Sequence, residues 1–372
     1  MTPVTDQKQT SVVRPPIWRF LLMALAMLIL LAALWAALVR LGWQMPALPL
    51  PLAGQHGALM ISGFLGALIS LERAVALGWR WAYAPPALAG LGALALVSGL
   101  PLEAGRGLLT LAAFGLSVVS ARLLRRHPVE HVAVMALGAL AWLVGNVLWL
   151  GRWPLQQAVV WWVGFLTLTI AGERLELGRL LRPSRSVRLS FRFAVGVFLA
   201  GAALSPVSLE AGWRVAGAGL LLLGLWLAWN DIARFTVRQA GLTRYIAVCL
   251  LAGYVWLMAG GGLWLGFGAQ PASRLLYDAM LHSLLLGFVF SMIFGHAPII
   301  FPGLLGRSVV YAPVFYAPLL VLHAALLVRV AGDLFGDRGL HMWGGLFNVL
   351  AIPLFLVLLI GTLLRSRRMS QS

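Results

Sequence analysis

Apolar residues run through this chain in stretches of about 20, separated by short polar or proline-containing breaks. Twelve stretches can be marked, at 17–41, 55–78, 82–100, 106–124, 130–150, 155–176, 190–206, 212–232, 243–266, 275–301, 309–331 and 341–364. A helix rising about 1.5 Å per residue needs roughly 20 apolar residues to cross a bilayer core of about 30 Å. Each stretch therefore predicts a transmembrane helix. The breaks carry helix-stopping residues, among them Pro85-Pro86, Pro101, His127-Pro128, Trp153-Pro154, Pro206 and Pro271. The third and fourth stretches have the softest edges, because glycine-rich runs blur them. The expected architecture is an all-α polytopic membrane protein of about 12 transmembrane helices. A polar tail (1–16) precedes a single transmembrane domain (17–364), and a second tail (365–372) follows it. No small-residue cleavage site follows the first apolar stretch, so it is expected to remain as a span.

Composition agrees with the pattern. Of 372 residues 61% are hydrophobic and 10% charged, where a soluble domain carries about a quarter charged residues. The formal charge of +17 comes from arginines isolated between apolar runs. No basic stripe or nucleic-acid-binding motif accompanies it, so no nucleic-acid partner is expected. With the N-terminus inside, the 28 basic residues divide 21 inside to 7 outside, a positive-inside bias. Both termini are then cytoplasmic, in a multi-pass protein of the bacterial inner membrane whose first partners are lipids. The charged loop Glu173 to Arg192 reads as topology signal and headgroup contact. The single cysteine, Cys249, excludes internal disulfides and cysteine-rich metal sites.

One frame recurs. Gly63-Phe64 leads to Ile69 and Glu72, Gly164-Phe165 to Ile170 and Glu173, and Gly287-Phe288 to Ile293 and His296. It falls on the second, sixth and tenth spans, every fourth helix. That spacing predicts three four-helix units, at about 17–124, 130–232 and 243–364, around a pseudo-threefold axis.

Ionisable groups inside a bilayer are costly and usually face a bundle interior or cavity. His56, His282, His296, His323 and His341 lie within or at the ends of spans; His127 and His131 read as interface residues before the fifth. By helical rise, His282 and His323 share one layer in the outer half, capped by His56 and His341. His296, fourteen residues beyond His282, lies roughly 21 Å deeper on the same helix face if the helix is regular. Imidazoles without thiolates suit haem iron, copper or zinc. A bis-histidine haem could use His282 with His323, or His56 with either; copper could use His56, His282, His323 and His341. Met60 and Met280 read as packing residues beside His56 and His282. Asp278, one turn before His282, could orient its ring. Glu72, Arg73, Glu173 and Arg174 form an inner polar layer, read as snorkelling ion pairs or as a proton path or propionate-binding layer. Asn146, Asn230, Asp231 and Asn348 are weaker pore candidates. There is no dinucleotide fingerprint, P-loop or metalloprotease motif.

The chain resembles the NnrS family of bacterial twelve-span membrane proteins. The resemblance rests on His56-Gly57 through Glu72-Arg73-Ala74-Val75-Ala76-Leu77, and on His282-x4-Gly287-Phe288-x7-His296-x-Pro298 with Arg329 on the helix that follows. Gly295-His296-Ala297-Pro298 stands where typical members read G-H-T-G, as in a divergent branch. The resemblance implies a haem-containing protein, b-type, with copper as a further metal, linked to nitric oxide metabolism or nitrosative stress tolerance. By the same carry-over His282 and His296 are the leading ligands, followed by His56 and His323. A redox partner would be needed for turnover. More distantly, three four-helix units resemble the haem–copper oxidase catalytic subunit. The sixth and seventh spans lack histidines, however, so its three-histidine copper site is absent in that form.

Two alternatives stand beside this expectation. One is a histidine-lined transporter for a metal, haem or small solute; the other is a cofactor-free structural or sensory subunit. Whether the protein catalyses stays open, as does its oligomeric state. Gly260-Gly261-Gly262 invites close helix contact, within or between chains.

Overall fold

The computed structural model describes residues 16–46, 52–305 and 310–369, and no strand occurs among them. Twelve main helices follow in order. They are α1 (Ile17–Leu41), α2 (Leu52–Ala58, a π-helical stretch Leu59–Leu65, then Gly66–Leu77), α3 (Ala84–Val97), α4 (Leu102–Arg126), α5 (Glu130–Leu150) and α6 (Leu155–Gly178). The second half comprises α7 (Arg185–Leu204), α8 (Leu209–Asn230), α9 (Gly241–Phe267), α10 (Arg274–His282, a π-helical stretch Ser283–Phe290, then Ser291–Leu305), α11 (Tyr316–Phe335) and α12 (Arg338–Met369).

Among the described residues, eleven helices are long and apolar enough to cross a membrane. The exception is the third of the twelve expected stretches. The stretch at 82–100 becomes α3, which starts at the Pro85-Pro86 pair and stops after 14 residues, where Gly99 takes a left-handed φ of 78°. Its rise is about 21 Å, short of a bilayer core of about 30 Å. Helix α12 continues to Met369, past the end of its apolar span at Leu363. Residues 1–15 and 370–372, with Lys8 and Arg14, lie outside the described residues, and so does Arg307.

Burial separates the helices into two classes. The most apolar windows of α2, α6 and α10 are 72%, 78% and 72% buried, against 33–50% in the other eight spans. These three carry the repeated Gly-Phe frame, and its glycine is a notch for a neighbouring helix in each. A Cβ at Gly63 would meet Ala93 and Ile29, one at Gly164 would meet Phe198, and one at Gly287 would meet Trp256. On the periphery, Leu21 and Leu28 of α1, Phe193 of α7, Leu320 and Leu327 of α11 and Val357 of α12 are exposed. Large apolar side chains in that number on the outer helices make a lipid-facing surface.

The Gly260-Gly261-Gly262 run makes its contacts within the chain. A Cβ on Gly260 would overlap a Leu284 methyl, and one on Gly261 would lie 2.5 Å from the Leu221 backbone nitrogen; one on Gly262 meets nothing within 4 Å. Leu284 can rotate, but the α8 backbone cannot retreat without opening the α8–α9 seam. Gly261→Ala is therefore expected to destabilise by about 1–3 kcal/mol, the usual range for overpacking. Gly262→Ala should be neutral or slightly stabilising. Thermal unfolding of the detergent-solubilised protein checks this; equal melting temperatures for the two variants would contradict it.

Candidate functional site

At the end of the bundle where α1 finishes and α2 begins, two histidines face each other. His56 lies in the opening turns of α2 and His282 ends the first α-helical segment of α10; their ring centres are 6.4 Å apart and their planes 18° from parallel. His56 Nδ1 is 2.9 Å from the Ala33 carbonyl oxygen. His282 Nδ1 is 3.0 Å from the Asp278 carbonyl oxygen and 3.1 Å from Asp278 Oδ1. A carbonyl can only accept, so both rings donate from Nδ1 and keep the Nε2 lone pair. The Arg329 Nη2 atom stands 3.4 Å from His282 Nε2. That exceeds the ordinary hydrogen-bond range of roughly 2.7–3.2 Å and does not consume the lone pair.

Both rings line a cavity of about 940 Å³. Its body is apolar, with Leu34, Ile61, Leu65 and Phe290 among its walls, while Arg40, Arg106, Arg274 and Arg329 also line it. Trp162 Nε1 and Asn348 Oδ1, on residues of the same wall, are buried polar atoms without a partner. The cavity thus combines an apolar chamber, two imidazoles and several arginines, with Glu103 and Asp278 also on its walls.

Beside His282, Arg329 grips Asp278 with both arms, Nε to Oδ2 at 2.8 Å and Nη2 to Oδ1 at 3.0 Å. The His341 Nδ1 atom lies 2.5 Å from Asp333 Oδ1 and 3.9 Å from Asp278 Oδ2. Asp278, Asp333 and His341 offer three ligand atoms within 4.8 Å of one another, a partly buried cluster capable of coordinating a metal ion.

The remaining expected ligands lie elsewhere. His323 is expected in the layer of His282, but α11 continues to Phe335, so His323 lies about 18 Å from that helix end. It meets Ser291 on α10 instead. The Trp256 indole donates to His323 Nδ1 at 3.0 Å, and His323 Nε2 is 3.3 Å from Ser291 Oγ. That hydroxyl donates to the Cys249 carbonyl at 2.7 Å. His323 Nδ1 thus accepts from Trp256, and its Nε2 faces Ser291 rather than a second histidine. The four-histidine copper cluster and the His282–His323 pair are not assembled.

His296 does not share a face with His282. The π-helical stretch between them, bonded i to i+5, sets the second half of α10 back by about one residue of rotation, roughly 100°. His282 consequently looks toward α2 and α11, and His296 toward α6. His296 Nδ1 donates to the Met292 carbonyl at 2.7 Å, and its Nε2 is 3.4 Å from Arg174 Nη1.

Arg174 anchors the inner polar layer. It is bidentate to Asp231, Nε to Oδ2 at 2.7 Å and Nη2 to Oδ1 at 2.9 Å, with the two side chains 3% and 1% exposed. Arg73 pairs with Glu173 across α2 and α6, and Glu72 lies 3.8 Å from it. Neither arginine snorkels to the surface. The polar residues that close the three frames thus come together between α2, α6 and α10. His131, expected at the interface, is buried with Nε2 3.7 Å from Glu176 Oε1; His127 is exposed. Met60 and Met280 are buried among apolar neighbours, in keeping with packing.

Sequence reasoning misses Asp333, because the eleventh apolar stretch ends at residue 331. It treats Arg329 only as a topology charge and as part of a resemblance, and it ranks Asp231 low. In all three cases the available signal is an ionisable residue within a helix turn of a span.

No curated protein and no solved structure matches the chain. A family model described as a domain of unknown function, DUF8744, matches residues 19–364, and the chain belongs to that family.

Proposed function

We propose that this membrane protein binds a haem in the cavity between α2 and α10, where His56 and His282 would hold it. The observation that carries the reading is the facing pair. Metal–imidazole bonds of about 2 Å would let one metal engage two imidazoles whose ring centres lie about 6 Å apart. The observed separation is 6.4 Å. Nδ1 of each ring is anchored to a carbonyl, so both rings are already in the tautomer that iron ligation needs. The apolar walls suit a porphyrin face, and Arg40, Arg106 and Arg274 offer partners for its carboxylates. Haem, when bound, would supply one-electron redox chemistry. With both imidazoles engaged in holding the group, electron transfer is favoured over the direct nitric oxide binding that the family resemblance implies, and a redox partner would be needed.

The wider arrangement accords with three four-helix units. In each, the first helix packs on the second and the third on the fourth; α4 then packs on α5, α8 on α9, and α12 back on α1. On this reading α3 crosses as a short twelfth helix, prolonged by a 3₁₀ turn at Arg80–Tyr83. The 21-to-7 division of basic residues then puts both termini in the cytoplasm and opens the cavity to the outer face.

A second reading, favoured by the Asp278, Asp333 and His341 cluster, is a passage for a metal or small solute through the same polar end. The absorption spectrum of protein purified from haem-replete cells separates the two. A Soret band, sharp visible bands on reduction and about one haem per chain are expected. Absence of a Soret band and of stoichiometric iron, also after incubation with haemin, would sink the haem reading and leave metal flux in proteoliposomes as the next measurement.

A further inference from the structure

The cluster beside the histidine pair has its own chemistry, independent of whether the neighbouring cavity holds haem. We propose that Asp278, Asp333 and His341 form a binding site for a divalent cation of the zinc or manganese class, and that Arg329 competes with this cation for the Asp278 carboxylate.

Three helices bring the ligands together: Asp278 from α10, Asp333 from α11 and His341 from the first turns of α12. Donor atoms around a tetrahedral ion with bonds of about 2 Å sit roughly 3–3.5 Å apart. The candidate ligand atoms lie within 4.8 Å of one another. The His341 Nδ1–H that now donates to Asp333 Oδ1 at 2.5 Å would move to Nε2 as the cation takes Nδ1. The side chain of Asp333 is fully buried, and its second oxygen, Oδ2, has no hydrogen-bond partner. Burying a carboxylate oxygen with nothing to accept from is costly, and a cation removes that cost.

The donor set selects the ion class. Two carboxylates and one imidazole, with no sulfur, suit zinc or manganese, whereas copper(I) wants soft ligands. Calcium and magnesium want a shell of oxygens. Arg40, Arg274, Arg329 and Arg338 line the adjoining pocket, so loose attraction of a cation is opposed and binding has to come from directional coordination.

Arg329 is the built-in competitor. Its Nε atom holds Asp278 Oδ2 at 2.8 Å, and this is the same oxygen that lies 3.9 Å from His341 Nδ1. A cation taking that oxygen displaces the Arg329 Nε–H bond. The guanidinium then points into the cavity that it already lines. Binding of the cation and release of Arg329 are one event, so whatever anion Arg329 meets in the cavity is coupled to the cation by linkage.

The test uses the full chain, purified in detergent and stripped with a chelator. Equilibrium dialysis against Zn(II) and Mn(II), counted by elemental analysis, should give one ion per chain. Asp333→Asn and His341→Ala should each weaken binding by at least about tenfold. His127→Ala, exposed and remote, should leave it unchanged. Arg329→Gln should tighten it several-fold, a change of opposite sign that a merely structural arginine would not produce. Co(II) added to the unmodified protein provides a readout that needs no variant: visible d–d bands of a four- or five-coordinate N/O site are expected. Wild-type binding in both ligand variants would overturn the proposal. So would the absence of both zinc uptake and cobalt bands in the unmodified chain. Haem content, read separately from the Soret band, distinguishes failure of this site from failure of the haem reading.

Discussion

Replacing His56 or His282 with alanine is expected to lower haem retention by more than about tenfold, with loss of the low-spin spectrum in whatever haem remains. The magnitude follows from the role of each ring. Changing a residue that only supports a metal ligand typically costs 10–100-fold, and these two would be the ligands themselves. Three comparisons make the prediction discriminating. His323→Ala should leave the spectrum unchanged, because its ring nitrogens face Trp256 and Ser291. His296→Ala should also leave it unchanged, because α10 turns that residue toward Arg174. Asp278→Asn keeps the backbone carbonyl that holds His282 and loses only the carboxylate, so an intermediate loss or a shifted potential is expected. Haem content per chain and the reduced spectrum of the five variants decide the matter. Loss of the band in His323→Ala, with retention in both His56→Ala and His282→Ala, would reverse the assignment.

The second large effect concerns stability. Arg174→Ala is expected to destabilise the protein by about 3–5 kcal/mol, the usual result of removing one partner from a buried ion pair. Asp231 is 1% exposed and also accepts the Ala233 N–H at 2.7 Å. Without Arg174 its charge is left inside the bundle with one backbone donor. Asp231→Ala strands the guanidinium in the same way. Replacing both together, Arg174→Met with Asp231→Leu, should recover most of the loss, because a well-packed apolar pair of similar volume often matches a buried ion pair. Thermal unfolding followed by tryptophan fluorescence gives the three values. Two single variants as stable as the double one would mean that the pair is solvated in the folded state.

Much of this is legible along the chain, for reasons that mark where legibility stops. Spans follow from apolar length, and eleven of the twelve expected stretches are helices of crossing length. The remaining stretch is shorter because the Pro85-Pro86 start and the Gly99 stop limit α3 to 14 residues, a matter of backbone chemistry that a hydropathy average dilutes. His56 and His282 stand out as polar groups in apolar surroundings. Their pairing does not, because it depends on how α2 approaches α10. Depth arithmetic puts His323 opposite His282 by assuming where α11 ends; four more helical residues move it by about a full turn. Extending that helix also takes in Asp333, which completes the second cluster. Arg329 and Asp231 are visible as charges, but a charge count records which side a residue favours and says nothing of its partner. The Gly-Phe frame marks the three interior helices and proves to be a packing notch, with its polar ends meeting at the inner layer.

The π-helical stretches in α2 and α10 carry a consequence for how this protein can change. Each is equivalent to one residue beyond what a regular helix would hold over the same rise. Each also begins within a few residues of the histidine it follows, at Leu59 after His56 and at Ser283 after His282. Rewinding either stretch as a regular helix, with no residue removed, would swing the two halves of that helix against each other by about 100°. Rewinding in α10 would carry His282 out of the cavity while leaving His296 seated against Arg174. The two ends of one helix are thus adjustable independently, like a dial set on a fixed shaft, and the chain can gain or lose its facing histidines without rebuilding the bundle around them.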